Sequence, residues 1–113
     1  MVCFFYIEGE SDARANRNEV RLLCQQFVQR HTWRNKVWCV DHDLEGGVDV
    51  GVNIEKRDNG FEVEVVRLLS FIRQLIQKLG IAFVLGTDGE DRDWMDAARE
   101  KTNEDIARFH CVE

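Results

Sequence analysis

VDVGVNIEKRDNGFEVEVVRLLSFIRQLIQKLGIAFVLG, residues 48–86, carries the clearest apolar patterning in this chain of 113 residues. Apolar side chains alternate with polar ones from Val48 to Ile54, which is the period of a half-buried strand. Asn59-Gly60 predicts a tight turn because both residues tolerate positive φ, and the alternation then resumes over 61–66. We therefore expect a β-hairpin in which Gly60 has a positive φ.

From Val66 onward the apolar period is that of a helix. Gly80 suits the left-handed conformation that ends many helices. Residues 81–86 are apolar without alternation, which predicts a strand covered on both faces. The helix should place six apolar side chains in the core, namely Leu68, Leu69, Ile72, Leu75, Ile76 and Leu79.

Shorter signals on either side of this stretch complete the expected order of elements. An aromatic-rich run at 2–7 predicts a strand. A helix should follow, starting at Ser11-Asp12 or at Asn18 and fading by His31. The other expected elements are a strand at 33–40, a polar connection at 41–47 within an antiparallel pair, and a last helix at 91–109.

These elements predict one α+β domain over 1–113, with the order β-α-β-β-β-α-β-α and about five strands. The strands should form a mixed, mostly antiparallel sheet, and helices packed on it make a two-layer architecture that buries the apolar stripes. If residues 61–79 are instead all helix, the order becomes β-α-β-β-α-β-α, a ferredoxin-like arrangement with a C-terminal helix. The pattern leaves both arrangements open.

Charge is distributed unevenly along the chain, whose net charge is −6. Residues 87–113 hold nine acidic and four basic side chains, whereas residues 14–36 hold six basic and one acidic. Two explanations are open: the first and last helices neutralise each other, or one of them is a charged docking face for another protein. A chain this acidic is a poor ligand for nucleic acid, so we expect no direct contact with it.

The composition favours a cytoplasmic protein. No apolar run reaches the ~18 residues of a membrane span, and the first ten residues do not have the pattern of a signal peptide. We expect no membrane partner and no cofactor. The four cysteines lack C-x-x-C spacing and are expected mainly as buried free thiols: Cys3, Cys24, Cys39 and Cys111.

No catalytic motif stands out, and we assign no catalytic residue. Glu8-Gly9 followed by Asp41-His42-Asp43 resembles the signature of TOPRIM magnesium nucleases and primases, although aspartates also favour turns. Asp49 with Glu62 and Glu64 resembles the metal cradle of restriction-endonuclease-like enzymes, although alternate acids also suit a solvated strand face. A Mg²⁺-dependent nuclease or phosphodiesterase is the alternative function. Its metal ligands would be Glu8, Asp41, Asp43, Asp49, Glu62 and Glu64.

A small acidic domain that has no cofactor motif and ends in a charged helix is typical of a dedicated protein-binding inhibitor. Immunity proteins that neutralise bacterial toxins and phage anti-defence proteins that block host nucleases are such inhibitors. Complementary charge would speed association with a basic site on the partner enzyme. Trp94 is expected as a partly exposed anchor. The predicted partner-binding residues are Asp88, Glu90, Asp91, Asp93, Trp94, Asp96 and Glu100.

Overall fold

The computed structural model describes residues 2–7, 11–44, 47–87 and 92–95, which form two helices and an antiparallel sheet. The α+β class expected from the sequence is confirmed. Neither helix in this part of the chain is long and apolar enough to cross a membrane. The elements are β1 (Val2–Ile7), α1 (Ser11–Arg30), β2 (Lys36–Leu44), β3 (Gly47–Glu55), α2 (Phe61–Leu79), β4 (Phe83–Thr87) and β5 (Arg92–Met95).

The strand order is β2-β3-β1-β4-β5, and every neighbouring pair is antiparallel. α1 connects β1 to β2, and α2 connects β3 to β4, so each helix joins two strands that are not neighbours in the sheet. From β1 to β4 the elements therefore follow the order of the alternative arrangement, in which residues 61–79 are all helix. The order that places a strand on each side of Asn59-Gly60 is wrong.

The predicted hairpin is wrong because the residues after Gly60 begin α2. Phe61, Val63 and Val65 alternate as in a strand, but Phe61 and Val65 are also spaced one helical turn apart. The helix buries those two side chains and leaves Val63 66% exposed. Gly60 has the expected positive φ, at 84°, but it precedes a helix. Its carbonyl accepts a hydrogen bond from the Glu64 N–H at 3.1 Å.

The core lies between one face of the sheet and the two helices. The six-residue stripe predicted for α2 packs there, and only its last member, Leu79, is half-buried. Gly80 ends α2 as expected, with φ 65° and its N–H donating to the Ile76 carbonyl at 2.8 Å. Each fully buried large side chain of the stripe is worth roughly 1.5–3 kcal/mol relative to exposure. The core residues from β1, β3 and α1 are Cys3, Phe5, Ile7, Val48, Val50, Val52, Ile54, Val20, Cys24 and Phe27.

β2 and β3 form the predicted antiparallel pair, but β2 lies further along the chain than expected. It spans 36–44 rather than 33–40, so the predicted polar connection at 41–47 is wrong for residues 41–44. All nine β2 residues pair with β3, from Lys36 opposite Glu55 to Leu44 opposite Gly47. The acidic end of this strand is stabilised by α1, whose arginines reach it.

The register divides the sheet residues between two faces. Phe5 lies opposite Val52 on the face that carries the core, and Tyr6 lies opposite Gly51 on the other face. A Cβ atom built on Gly51 would lie 1.8 Å from the Phe5 carbonyl oxygen. β1 and β3 therefore approach each other at this point more closely than any side chain allows. β4 is covered on both faces, as predicted, because Phe83, Val84 and Leu85 are all buried.

Candidate functional site

β5 is the outer strand on one side of the sheet, next to β4. Its register runs from Met95 opposite Phe83 to Arg92 opposite Gly86. The helix predicted at 91–109 is therefore wrong for residues 92–95. An extended chain is favoured here because it pairs with backbone groups of β4 that a helix would leave without partners.

Two of the seven predicted partner-binding residues lie on β5. Asp93 is opposite Leu85, and Trp94 is opposite Val84. Among the described residues no further strand pairs with the outer side of β5, which makes it an edge strand of the described sheet. The other five predicted residues, and the remainder of the predicted last helix, lie outside the described residues: Asp88, Glu90, Asp91, Asp96 and Glu100.

Basic residues of α1 pair with the acidic end of β2. Arg17 donates from Nε to Asp41 Oδ1 at 2.7 Å and from Nη1 to Asp43 Oδ1 at 2.6 Å. Arg21 Nη1 lies 3.4 Å from Asp41 Oδ2. The hydrogen bonds to Asp43 and then to Asp41 raise the pKa of Arg17. Part of the positive charge of residues 14–36 is thus neutralised by β2, and the expected neutralisation by the last helix falls outside the described residues.

Among the described carboxylates of the alternative metal site, no three lie close enough together to hold a metal ion. Asp41 pairs in register with Val50, on the face that carries the core, whereas Asp49 pairs with His42 on the opposite face. Asp43 shares the face of Asp41 and contacts Arg17. Glu8, the remaining member of the TOPRIM-like set, lies outside the described residues.

Glu62 and Glu64 lie in the first turn of α2 rather than on a strand. The strand-face interpretation of these two acids is therefore wrong, and so is the cradle that they would form with Asp49 from adjacent strands. Glu62 is exposed, whereas Glu64 is 5% exposed. Two residues apart on a helix, their side chains point in different directions.

Glu64 is the acceptor of a hydrogen-bond network that joins α2 to the segment between α1 and β2. Its Oε2 accepts from the Arg34 N–H at 2.8 Å. Its Oε1 accepts from the Asn35 N–H at 3.0 Å and from Asn35 Nδ2 at 2.7 Å. Burial by itself raises the pKa of Glu64, but these hydrogen bonds outweigh it, and the pKa is lowered. The carboxylate is therefore held ionised as a structural acceptor.

Asn35 extends this network to a third segment. Its Oδ1 accepts from the Arg57 N–H at 2.6 Å and from the Asp58 N–H at 2.8 Å, in the loop after β3. Asn35 is 4% exposed. Asn35 was not among the residues predicted from the sequence, because it lay inside the strand predicted at 33–40. The signal that could have found it is an asparagine between charged residues, since asparagine commonly bonds backbone groups in loops.

The described cysteines are free thiols, as expected: Cys3, Cys24 and Cys39. Burial, with a smaller contribution from the nearby Cys39, raises the pKa of Cys24 to about 12. Burial also raises the pKa of Cys39. Both thiols are therefore protonated at neutral pH and are weak nucleophiles. The fourth cysteine, Cys111, lies outside the described residues.

Within the described ranges, no three His, Cys, Asp or Glu side chains are grouped so that they could hold a metal ion. A shallow cavity of about 230 Å³ lies at the start of α2. Lys56, Asp58 and Glu62 contribute charges of both signs to its lining, so it does not select a ligand of one charge.

No family model, curated protein or solved structure matches the chain. Its function is therefore inferred from its own residues. The feature that we take as the candidate site is the edge strand β5, which lies within the acidic segment 87–113.

Proposed function

We propose that this chain is a protein-binding inhibitor that docks on a basic site of a partner enzyme through β5 and the acidic residues around it. The observation that carries the proposal is the position of β5 at the edge of the sheet, in a segment with nine acidic and four basic residues over 87–113. The partner is a nuclease or another enzyme with a basic substrate channel. The inhibitor would act as toxin-immunity or phage anti-defence proteins do.

An outer strand supplies affinity through its backbone. A partner segment that pairs with β5 gains main-chain hydrogen bonds, which is how many domains bind extended peptides. β5 has four residues, so pairing alone makes a small interface. The acidic side chains supply the rest, because charge complementarity raises the association rate and disfavours partners of the wrong charge.

The alternative metal-dependent enzyme is not favoured by the geometry. Asp41 and Asp49 lie on opposite faces of the sheet. Asp43 contacts Arg17, and Glu64 accepts three hydrogen bonds from backbone and amide groups. Catalysis by Mg²⁺ needs carboxylate oxygens that converge on one point. Asp41, Asp43 and Glu64 instead form hydrogen bonds between different elements of the fold.

Reversal of charge in the acidic segment tests the proposal. A variant with Asp91, Asp93 and Asp96 changed to lysine should capture less partner from a lysate of the source organism than the natural chain does. The association rate with the captured partner should fall and should depend less on salt, because the screening length at 0.1 M is about 10 Å. Association kinetics by surface plasmon resonance measure both effects.

A matched control changes Glu19, Asp58 and Glu62 to lysine. These three acids are exposed and lie away from β5 in the chain, and their reversal alters the net charge equally. The control should bind nearly as the natural chain does. If the two triple variants lose binding equally, net charge rather than the β5 segment governs association, and the proposal fails. A large loss of thermal stability in the first variant alone would favour internal neutralisation instead.

Trp94→Ala tests the anchor separately from the charges. A side chain that is buried in the partner raises the dissociation rate when it is removed, and it leaves the association rate nearly unchanged. Trp38→Ala is the comparison, because Trp38 lies on β2 at the other edge of the sheet. Equal dissociation rates for the two variants would exclude Trp94 as the anchor.

A further inference from the structure

The face of the sheet away from the two helices carries two rows of residues that cross all five strands. Residues that pair in register share a face of the sheet. The ionisable pairs of this face lie toward the two ends of β2 and β3, Lys36 with Glu55 and His42 with Asp49. The rows between those ends form what we call the apolar band. One row is Trp38, Asn53, Phe4, Gly86 and Arg92, and the other is Val40, Gly51, Tyr6, Val84 and Trp94.

The middle of the apolar band is aromatic. The rings of Phe4 and Tyr6 stack with their centroids 5.1 Å apart, which joins the two rows. Asn53 is bonded within the band, because its Oδ1 accepts a hydrogen bond from the Tyr6 hydroxyl at 2.5 Å. A sheet face that meets water is usually lined by polar side chains. The composition of the band therefore favours a face that is covered.

Two valines of the apolar band are almost fully buried. Val40 is 5% exposed and Val84 is 3% exposed, and neither belongs to the core between the sheet and the helices. Val40 lies on β2, which has no strand on its outer side among the described residues. Its neighbour on β3 is Gly51, which has no side chain to cover it. A valine at such an edge position would keep much of its surface in water if nothing lay over it, so its burial indicates a second layer.

We propose that residues 96–113 of the same chain form this layer, as a helix that lies over the apolar band. The segment lies outside the described residues and follows directly on β5, where the band begins. The spacing of Ala98, Thr102, Ile106 and Phe109 is that of one side of a helix. A segment joined to β5 is also held beside the band at a high effective concentration, which a separate chain is not.

The length of the segment matches the width of the sheet. A helix over 98–109 would be about 18 Å long, at 1.5 Å per residue. The distance from β5 to β2 is about 19 Å, because neighbouring strands lie roughly 4.8 Å apart. One helix therefore spans the band from edge to edge. Glu100 and Glu104 fall on the opposite side of this helix, since each is two positions from residues of the apolar side.

Nuclear Overhauser contacts in the full chain test the proposal. They should join the side chains of Ile106 or Phe109 to those of Tyr6 or Val84. A mixture of isotope-labelled and unlabelled chains separates contacts within one chain from contacts between copies. A lack of contacts between residues 96–113 and the band would overturn the proposal. Contacts seen only between copies would also overturn it, because a second copy would then be the cover.

Two neighbouring substitutions give a matched comparison. Ile106→Asp places a charge against the band, whereas Ala107→Asp places the same charge on the opposite side of the helix. The methyl resonances of Val40 and Val84 should shift in Ile106→Asp and stay nearly unchanged in Ala107→Asp. Val48, buried on the core face, should keep its resonances in both and shows that the chain is folded.

Equal shifts of the two band valines in both variants would contradict the proposal. If Ile106→Asp does not fold, the contacts measured in the natural chain still decide. These results are independent of partner capture, which tests the proposed inhibitor function.

Discussion

Glu64→Ala removes the acceptor of three hydrogen bonds that join α2 to the segment between α1 and β2. The Arg34 N–H loses its acceptor, Glu64 Oε2. The N–H and the Nδ2 of Asn35 both lose theirs, Glu64 Oε1. Arg34 is exposed, so water can replace the lost bond to its N–H. Asn35 is 4% exposed, so its two donors stay buried without an acceptor.

The two unsatisfied donors set the size of the effect. A buried donor left without a partner costs about 1–3 kcal/mol, so Glu64→Ala should lower the free energy of unfolding by roughly 2–6 kcal/mol. Glu64→Gln keeps one oxygen for Asn35 and turns an amide NH₂ group toward the Arg34 N–H. Glu64→Gln should lower the free energy of unfolding by about 1.5–3 kcal/mol, which is typical for the loss of one hydrogen bond to a charged group.

Urea unfolding followed by tryptophan fluorescence measures these differences. Trp33 is a suitable probe because it lies next to the network in sequence, and its Nε1 donates to the Val28 carbonyl at 3.0 Å. Glu62→Ala is the matched control, since Glu62 is an exposed glutamate in the same turn of α2. Surface changes of this kind usually stay within about 0.5 kcal/mol.

The pH dependence of stability gives a second test of the same network. The pKa of Glu64 is lowered in the folded chain, so its contribution is complete above the unfolded pKa of about 4.3. That contribution is lost as the pH falls through the lowered folded pKa, where the carboxylate takes up a proton. The difference between the natural chain and Glu64→Gln should therefore narrow in acid. If Glu64→Ala is no more destabilising than Glu62→Ala, Glu64 is not the acceptor that joins these segments.

Three further substitutions probe the backbone and the core. Gly51→Ala should cost at least about 1–3 kcal/mol in urea unfolding, because its Cβ would lie 1.8 Å from the Phe5 carbonyl oxygen; an unchanged midpoint would mean that the strands can separate freely there. Gly60→Val should cost more than about 1 kcal/mol, since valine is strained at φ 84°, and a melting temperature equal to that of the natural chain would contradict the left-handed conformation. Ile72→Ala should cost roughly 2–5 kcal/mol by emptying a fully buried site, whereas a similar loss for exposed Gln74→Ala would mean that α2 is rotated from the orientation described.

The sequence predicted correctly those parts of the fold whose apolar residues fit only one spacing, either that of a helix or that of a strand. The stripe from Leu68 to Leu79 has only the helical period, so α2 was predicted over these residues and its packing was confirmed. The strand β1 was predicted over 2–7, and its alternate residues are buried. Gly80 ends α2 because glycine adopts its positive φ with the least strain.

Residues 61–66 show why local pattern was insufficient elsewhere. They satisfy the strand period and the helix period together, so the choice depends on partners outside the segment. The helix places Glu64 against Asn35, which lies 29 residues earlier in the chain. A strand over the same residues would not place Glu64 and Val65 on one side. The spacing of apolar residues within 61–66 carries no information about hydrogen-bond donors so far away in the chain.

The candidate site, too, was predicted from the sequence only in part. The excess of acidic residues over 87–113 and of basic residues over 14–36 is a property of the sequence alone. Tertiary structure decided that Arg17 pairs with Asp41, 24 residues away, and that residues 92–95 join the sheet as an edge strand. The physical reason is that strand pairing and ion pairs join residues far apart in the chain, whereas a local pattern contains only the preferences of each segment by itself.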